Sequence, residues 1–569
     1  MRARRVWILV ALLGCEFGSP DGLAIDNSCT DDASCAGGVC DGTICIDDSG
    51  ASVELAIEVL RGASEAQTAV PSSWAFGPES ASGSSTRDLV LPETREVRGT
   101  VRWDGARVPA TLRFVRRMTG PVASLSPSPV EVSTSRAASG GDEPDSYDFS
   151  AILVAGQTYD VTVLPSSDTV TAPAQAAAPA VRSLPPLYLV LFVNGGDRAE
   201  PLRFDLAFPT ELADPCEESL DVGCTLEATV LGVDGQGEHP EAGLQVRAID
   251  KQTMRVVSSI GETDENGRFA IRIGSSSSAY VIRVTSSAGG PPFASVSVDP
   301  VTAFASDPIA RRIYIPRLSP VRFTGRVRDT NDVAVPAATV RFLATGIFGS
   351  QIGLEGSFSS SATTDEEGRF GTDLLPGLYT ISVTPPADVE NAWGILSAEA
   401  LVDDENRSTE ALIVPTQVGL RGWVTTFRDE SATGVTVLAR ARSDAESGAR
   451  SQEAVSSALG AFVMTMDPGV YDIQVKASAK TGFAWLIEPE LVMRADWGDV
   501  LRGYQLDPPI PVQGILRSSD GAPVPSAMIR AYLFIDTGAG TSRPLQVAET
   551  VSGEDGRYRL LIAPHLGGE

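Results

Sequence analysis

Two side-chain types on which much enzyme chemistry depends are almost missing from this chain of 569 residues. Its only histidines are His239 and His565, and its only lysines are Lys251, Lys476 and Lys480. A Ser-His-Asp or Cys-His site would have to recruit one of the two histidines. Both fall in loop-like sequence, His239 within DGQGEHPEAG and His565 close to the last residue. Lys480-Thr481-Gly482 matches one β-lactamase element, but no Ser stands three residues before any lysine, so the S-x-x-K partner is missing. There is no Walker loop, no G-x-G-x-x-G after a strand, no H-E-x-x-H and no G-x-S-x-G elbow. Paired acids can cleave sugars, but Asp403-Asp404 and Asp365-Glu366 sit in turn sequence and read as solvated. These absences argue against an enzyme and call for no cofactor and no metal.

Aromatic residues are scarce too, at 6%, which suits small sandwiches better than a large carbohydrate-processing cleft. Positive charge is outnumbered: 45 basic against 73 acidic residues give a net charge of −28. Such a chain is repelled by phosphate backbones, which excludes nucleic acid as a partner. Long apolar runs are absent beyond the N-terminus. The most apolar stretch, Pro186 to Val193 (PLYLVLFV), has the length of a strand and falls short of the roughly 18 residues of a membrane span. What is present is 43% hydrophobic residues, enough for cores, in a length that allows about four or five domains.

The N-terminus reads as an export signal. Arg2, Arg4 and Arg5 precede a short apolar stretch, Val6 to Leu13, too short to span a bilayer. Leu12-Leu13-Gly14-Cys15 then resembles the bacterial lipobox. That resemblance implies cleavage after Gly14 and a diacylated Cys15, and two acyl chains hold a protein firmly to a membrane. The expected location is the bacterial cell envelope, at the outer membrane, with the lipid on Cys15 as the only membrane attachment.

Six cysteines remain, an even number. Cys29, Cys35, Cys40 and Cys45 lie close together, and Cys216 and Cys224 are eight apart. In an exported chain they read as disulfides. Four cysteines allow three connectivities, and the sequence does not choose among them. A zinc site is the rival reading, but paired C-x2-C spacing and a nearby His are both missing.

Laid against itself, the chain repeats. An apolar-x-small-x-apolar pattern recurs at Val97-Arg-Gly99-Thr-Val101, Leu226-Glu-Ala228-Thr-Val230, Phe323-Thr-Gly325-Arg-Val327, Leu420-Arg-Gly422-Trp-Val424 and Val512-Gln-Gly514-Ile-Leu516. Alternation with period two makes each an opening strand with one buried face. About 40 residues later comes a Gly turn followed by an aromatic: Gly267-Arg-Phe269, Gly368-Arg-Phe370, Gly460-Ala-Phe462 and Gly556-Arg-Tyr558. The first repeat lacks that Gly and offers only Tyr147 and Phe149. A third pattern is a Tyr-led strand, starting at Tyr159, Tyr280, Tyr379 and Tyr471, with Pro376-Gly377 and Pro468-Gly469 as turns before the last two.

This combination resembles the carboxypeptidase regulatory-like domain, a transthyretin-like sandwich of about seven strands, best in VRFTGRVRDTNDVAVPAATVRF, TTDEEGRF and LPGLYTISVTPP of residues 321–415. The resemblance implies an all-β fold of tandem seven-stranded-type Greek-key β-sandwiches. It concerns only that enzyme's accessory domain, whose relatives serve as stalks, adhesins and accessory modules. The wider carbohydrate-binding-like superfamily implies a glycan role as the alternative. Related Cna B-type domains lock themselves with a Lys–Asn cross-link; the opening strands here carry no lysine, so that bond is excluded for most repeats.

The expected organisation is a signal peptide (1–14), a lipidated N-terminus with a disulfide knot (15–50), an N-terminal β segment (51–92), and repeats at 93–212, 216–316, 317–415, 416–508 and 509–569, the last incomplete. Residues 51–92 read as closing strands without an opening half. The last copy has opening strands and no closing ones. An edge left bare in this way needs covering. The strands 51–92 of a neighbouring copy or a different partner would supply the cover; a truncated frame or a partly disordered last domain would not need one. The functional expectation is a non-enzymatic surface spacer, adhesin-like or protein-interaction scaffold, with an envelope protein or a glycan as partner. Trp393, Trp423, Trp485 and Trp497 are expected at or beside inter-strand segments, with Trp485 and Trp497 as the glycan-stacking pair if the alternative holds.

Overall fold

The computed structural model describes residues 27–567 apart from 36–37, 42, 48, 63–70, 83, 126–127, 137–146, 167–183, 196–199, 210–223, 275–279, 287–294, 299–311, 348–355, 387–392, 443–447 and 537–541. The lipidation site Cys15 and the cysteine Cys216 therefore lie outside the described residues. Within them the fold is all-β, a string of small β-sandwiches behind a disulfide-rich N-terminal segment; the only helices are short 3-10 turns. No helix among the described residues is long and apolar enough to cross a membrane.

Repeat three shows the common plan. One sheet has the opening strand Val321–Asp329 at its centre, antiparallel to the aromatic strand Arg369–Leu374 and parallel to Leu412–Val414. The other sheet runs Ser359–Thr363, Thr339–Ile347, Gly377–Thr384, Leu396–Val402, with the Tyr-led strand paired on both sides. Three strands plus four make the seven that the resemblance implies. Alternate residues of both sheets face inward, so Phe323, Phe342 and Phe370 meet at ring-centroid separations of 5.8–6.5 Å.

The first two sequence patterns meet in register. In every repeat the small residue of the opening strand lies directly opposite the aromatic: Gly99 with Phe149, Ala228 with Phe269, Gly325 with Phe370, Gly422 with Phe462 and Gly514 with Tyr558. In repeats one, three and four the aromatic ring crosses over the glycine and leaves no room for a Cβ; at Gly514 the Arg87 carbonyl takes that space. A Cβ on Gly422 would sit 2.8 Å from the Phe462 ring and 2.0 Å from the Arg502 carbonyl oxygen. Phe149 thus fills the aromatic position in repeat one despite the missing turn glycine.

The Tyr-led strands bury their tyrosines, and two of the hydroxyls reach back over the Pro-Gly turn. Tyr379 donates to the Leu375 carbonyl at 2.7 Å and Tyr471 to the Asp467 carbonyl at 2.9 Å.

The two incomplete segments form one sandwich within this same chain. Strand Ser52–Leu60 pairs antiparallel with Met528–Asp536, with Ile57 opposite Ala531 and Val59 opposite Ile529. Ser73–Ser82 adds outside it, and Ser85–Thr86 and Leu89–Val90 run parallel to the opening strand Ile510–Arg517. Leu55, Ile57, Val59, Leu89 and Leu91 share one core with Val512, Ile529, Leu545, Tyr558 and Leu560. The missing strands come from this same chain and not from a neighbouring copy. The N-terminal strands lead through residues 91–93 into repeat one, and the C-terminal strands follow directly from repeat four, so the five sandwiches form a closed circuit.

Candidate functional site

Within the knot, disulfides join Cys29 to Cys40 and Cys35 to Cys45, selecting one of the three connectivities. The sulfurs of Cys29, Cys35 and Cys45 lie within 4.8 Å of one another, but all are consumed in disulfides and offer no thiolate to zinc. Cys224, buried at the start of repeat two, is also disulfide-bonded.

The knot is seated on the seam between repeat four and the closing sandwich. On the repeat-four side the Asn27 backbone N–H donates to the Thr481 carbonyl at 2.9 Å, and its side-chain amide donates to the Gly482 carbonyl at 2.8 Å. At the boundary the Asp47 N–H donates to the Pro509 carbonyl at 3.0 Å. On the far side Asp41 binds the Arg559 guanidinium. Burial would raise the Asp41 pKa, but N–H groups of Ile44 and Thr43, the Thr43 hydroxyl and Arg559 outweigh it and hold the carboxyl below its usual range.

Between these three parts lies a cleft of about 380 Å³, lined among others by Thr43, Ile44, Lys480, Trp485, Glu549 and Arg559. The Lys476 ammonium stands 4.1 Å from the Trp485 ring centroid, a cation–π contact that covers one face of the indole. Burial, with Arg440 and Arg530 nearby, lowers the Lys476 pKa against the pull of Glu549. Lys480 lines the cleft itself, and Lys476 reaches it only through Trp485. The cleft thus presents the cations Lys480 and Arg559, the Glu549 carboxylate, the Thr43 and Thr550 hydroxyls, and the aromatic rings of Phe483 and Trp485.

Two ion pairs secure the neighbouring seams. Arg543 of the closing sandwich forks onto Asp472 of repeat four at 2.7 and 2.8 Å. Arg450 of repeat four binds the fully buried Asp467 at 2.8 Å and also donates to the Trp393 and Pro385 carbonyls of repeat three. Burial pushes the Asp467 pKa up, but the Arg450 bonds and a Gln417 amide overcome this and keep it below the ordinary carboxylate value.

Three of the four tryptophans, Trp393, Trp485 and Trp497, lie between strands as expected, and Trp423 does not. Trp393 is buried in the core that includes repeat three, with its indole N–H 3.4 Å from an Asp329 oxygen, and only its carbonyl faces repeat four. Trp423 lies inside the opening strand Val418–Thr426, half exposed on the outer face. Trp485 immediately precedes the eight-residue strand Leu486–Met493, and Trp497 lies in the turn that follows it. At about 3.3 Å per residue the two ends of that strand are roughly 25 Å apart. The histidines pair with carboxylates: His239 Nε2 is 3.4 Å from Asp234 and His565 Nε2 is 3.2 Å from Asp507.

Sequence reasoning missed the seam residues Asn27, Asp41, Asp472, Arg543 and Arg559. Only Asp41-x-Thr43 carried a local sign, the side-chain-to-backbone turn typical of Asp; the others depend on contacts between distant segments.

No protein-family profile and no curated protein matches the chain. Among solved structures it is similar to a streptococcal ancillary pilin, at 11% identity over 57% of this chain and 98% of the other, with a TM-score of 0.20. It is similar to GBS52, the minor pilin of Streptococcus agalactiae, at 11% identity over 33% of this chain and 96% of the other, TM-score 0.21. It is also similar to BcpA, the major pilin subunit of Bacillus cereus, at 12% identity over 50% of this chain and 99% of the other, TM-score 0.16.

Proposed function

We propose that this chain is a non-enzymatic lipoprotein of the bacterial cell envelope, exported by residues 1–14, anchored through Cys15, and acting as a surface spacer and interaction scaffold of carboxypeptidase regulatory-like sandwiches. The observation that carries the reading is the closure of the circuit. Strands 52–90 share one core with strands 510–562, and the knot that precedes them is seated on the same seam, so a pull that reaches residue 27 bears on both sandwiches. Such closure holds five modules in a fixed relation, which is what a spacer requires. Glycan binding finds less support: Trp485 and Trp497 lie beyond opposite ends of the strand Leu486–Met493, and Trp423 and Trp497 offer only single exposed rings.

Replacing Cys15 with Ala tests the anchor. The variant should leave the membrane fraction while keeping the wild-type melting profile. Retention of Cys15→Ala in washed membranes would contradict the lipoprotein reading.

A further inference from the structure

The most apolar run of the sequence is an edge strand. Leu187–Val193 closes the repeat-one sheet, paired with Gln157–Pro165 on one side and, among the described residues, with no strand on the other. Leu191 and Val193 point into the core, while Val190 and Phe192 are 56% and 59% exposed. Tyr188 fixes one end of the strand through a 2.9 Å bond from its hydroxyl to the Val256 carbonyl of repeat two.

The corresponding edge is guarded in every other sandwich. In repeat two, Ser295–Val298 is capped by a strand from repeat three, with Ser295 opposite Ser357 and Val296 opposite Gly356. In repeat three the edge Leu396–Val402 carries Glu399 and runs into Asp403-Asp404. In repeat four Leu486–Met493 contains Glu488, Pro489 and Glu490, and in the closing sandwich Ser73–Ser82 contains Pro78 and Glu79. Charges and prolines are what keep sheet edges from pairing with other chains. Leu187–Val193 has neither within the strand, Pro185 and Pro186 standing only before its first residue, and the repeat-two edge demonstrates that this position accepts an added strand.

We infer that Leu187–Val193 is an interaction surface that pairs antiparallel with the same strand of a second copy of this chain. The strand suits itself as a partner. Antiparallel pairing centred on Val190 sets Val190 against Val190, Leu189 against Leu191 and Tyr188 against Phe192, so every position meets an apolar one. The strand bears no charge of its own; beside it Arg117 is neutralised by Asp160 at 2.7 Å, and the only other charge the structure sets against it is the Arg255 guanidinium of repeat two, 5.1 Å from the Tyr188 ring centroid at one end, so the −28 net charge is not concentrated there. A two-fold interface of this kind closes and stops at a dimer. The inference goes beyond the scaffold reading and does not depend on the lipid.

The test is sedimentation of the full chain in detergent over a concentration series, beside the double variant Val190→Lys/Phe192→Lys. Both side chains are exposed, so the sandwich should still fold, which its melting transition checks. The wild type should form a reversible dimer, and the variant should associate at least about tenfold more weakly. Amide exchange within 187–193 should also slow as the wild-type dimer forms. A wild type that stays monomeric, a dimer that survives the two lysines, or a dimer with unchanged exchange at 187–193 would overturn the inference. A monomer that instead captures an extended apolar peptide would assign the edge to a different partner and overturn it equally.

Discussion

The tyrosine hydroxyls show what single residues contribute. Tyr379 is buried, and burial raises its pKa well above the ordinary phenol value, so it stays a neutral donor to Leu375. Tyr379→Phe keeps the ring but strips that carbonyl of its donor, and should cost about 1–2 kcal/mol in denaturant unfolding. The sequence marked Tyr379 as the start of a strand; it could not place the hydroxyl, because its partner is a backbone carbonyl positioned by the turn. Asp467 gives a pH dependence. Its folded pKa is depressed, so its stabilisation is present above the unfolded value of about 3.9 and is lost as pH falls through the lower folded value. The seam between repeats three and four should therefore weaken in acid, below about pH 4. Arg450→Met leaves a buried carboxylate without its cation, at about 3–5 kcal/mol. That loss should be largest at neutral pH and shrink in acid, as thermal melts at a series of pH values will reveal.

At the level of elements, alternation made the opening, aromatic and Tyr-led strands legible, because one buried face imposes a period of two whatever the partner strand. What pattern alone did not disclose is that the small residue and the aromatic face each other across strands. That register joins positions about 40 residues apart, and it explains why the opening strand tolerates only Gly or Ala at its centre. Gly422→Ala should destabilise repeat four by about 1–3 kcal/mol through overpacking, since one neighbour of the new methyl is backbone and cannot yield. Phe370, expected as a core residue from its turn, is buried against Phe323 and Phe342. Phe370→Ala should cost about 3–5 kcal/mol and lower the melting transition of repeat three. The eight-residue strand between Trp485 and Trp497 was not legible in the same way, because Glu488, Pro489 and Glu490 interrupt its alternation.

Across the whole molecule, each half of the closing sandwich was recognisable by what it lacked, but nothing local says which molecule supplies the missing strands. The join couples Leu60 to Met528, positions far apart in sequence and adjacent only after folding. The knot then straddles the resulting seam. Reduction of Cys29–Cys40 and Cys35–Cys45 should loosen the contacts of Asn27 and Asp41, speeding hydrogen exchange at 27–47, while the sandwich at 321–414 stays protected. The central claim is that one chain closes on itself. Leu60 and Met528 lie directly opposite each other near the outer surface, at a cross-strand separation that suits a disulfide. The double variant Leu60→Cys/Met528→Cys, oxidised in dilute solution and mapped by mass spectrometry, should yield a 60–528 bridge at the mass of a single chain. No bridge, or a bridge found only in dimers, would contradict the account.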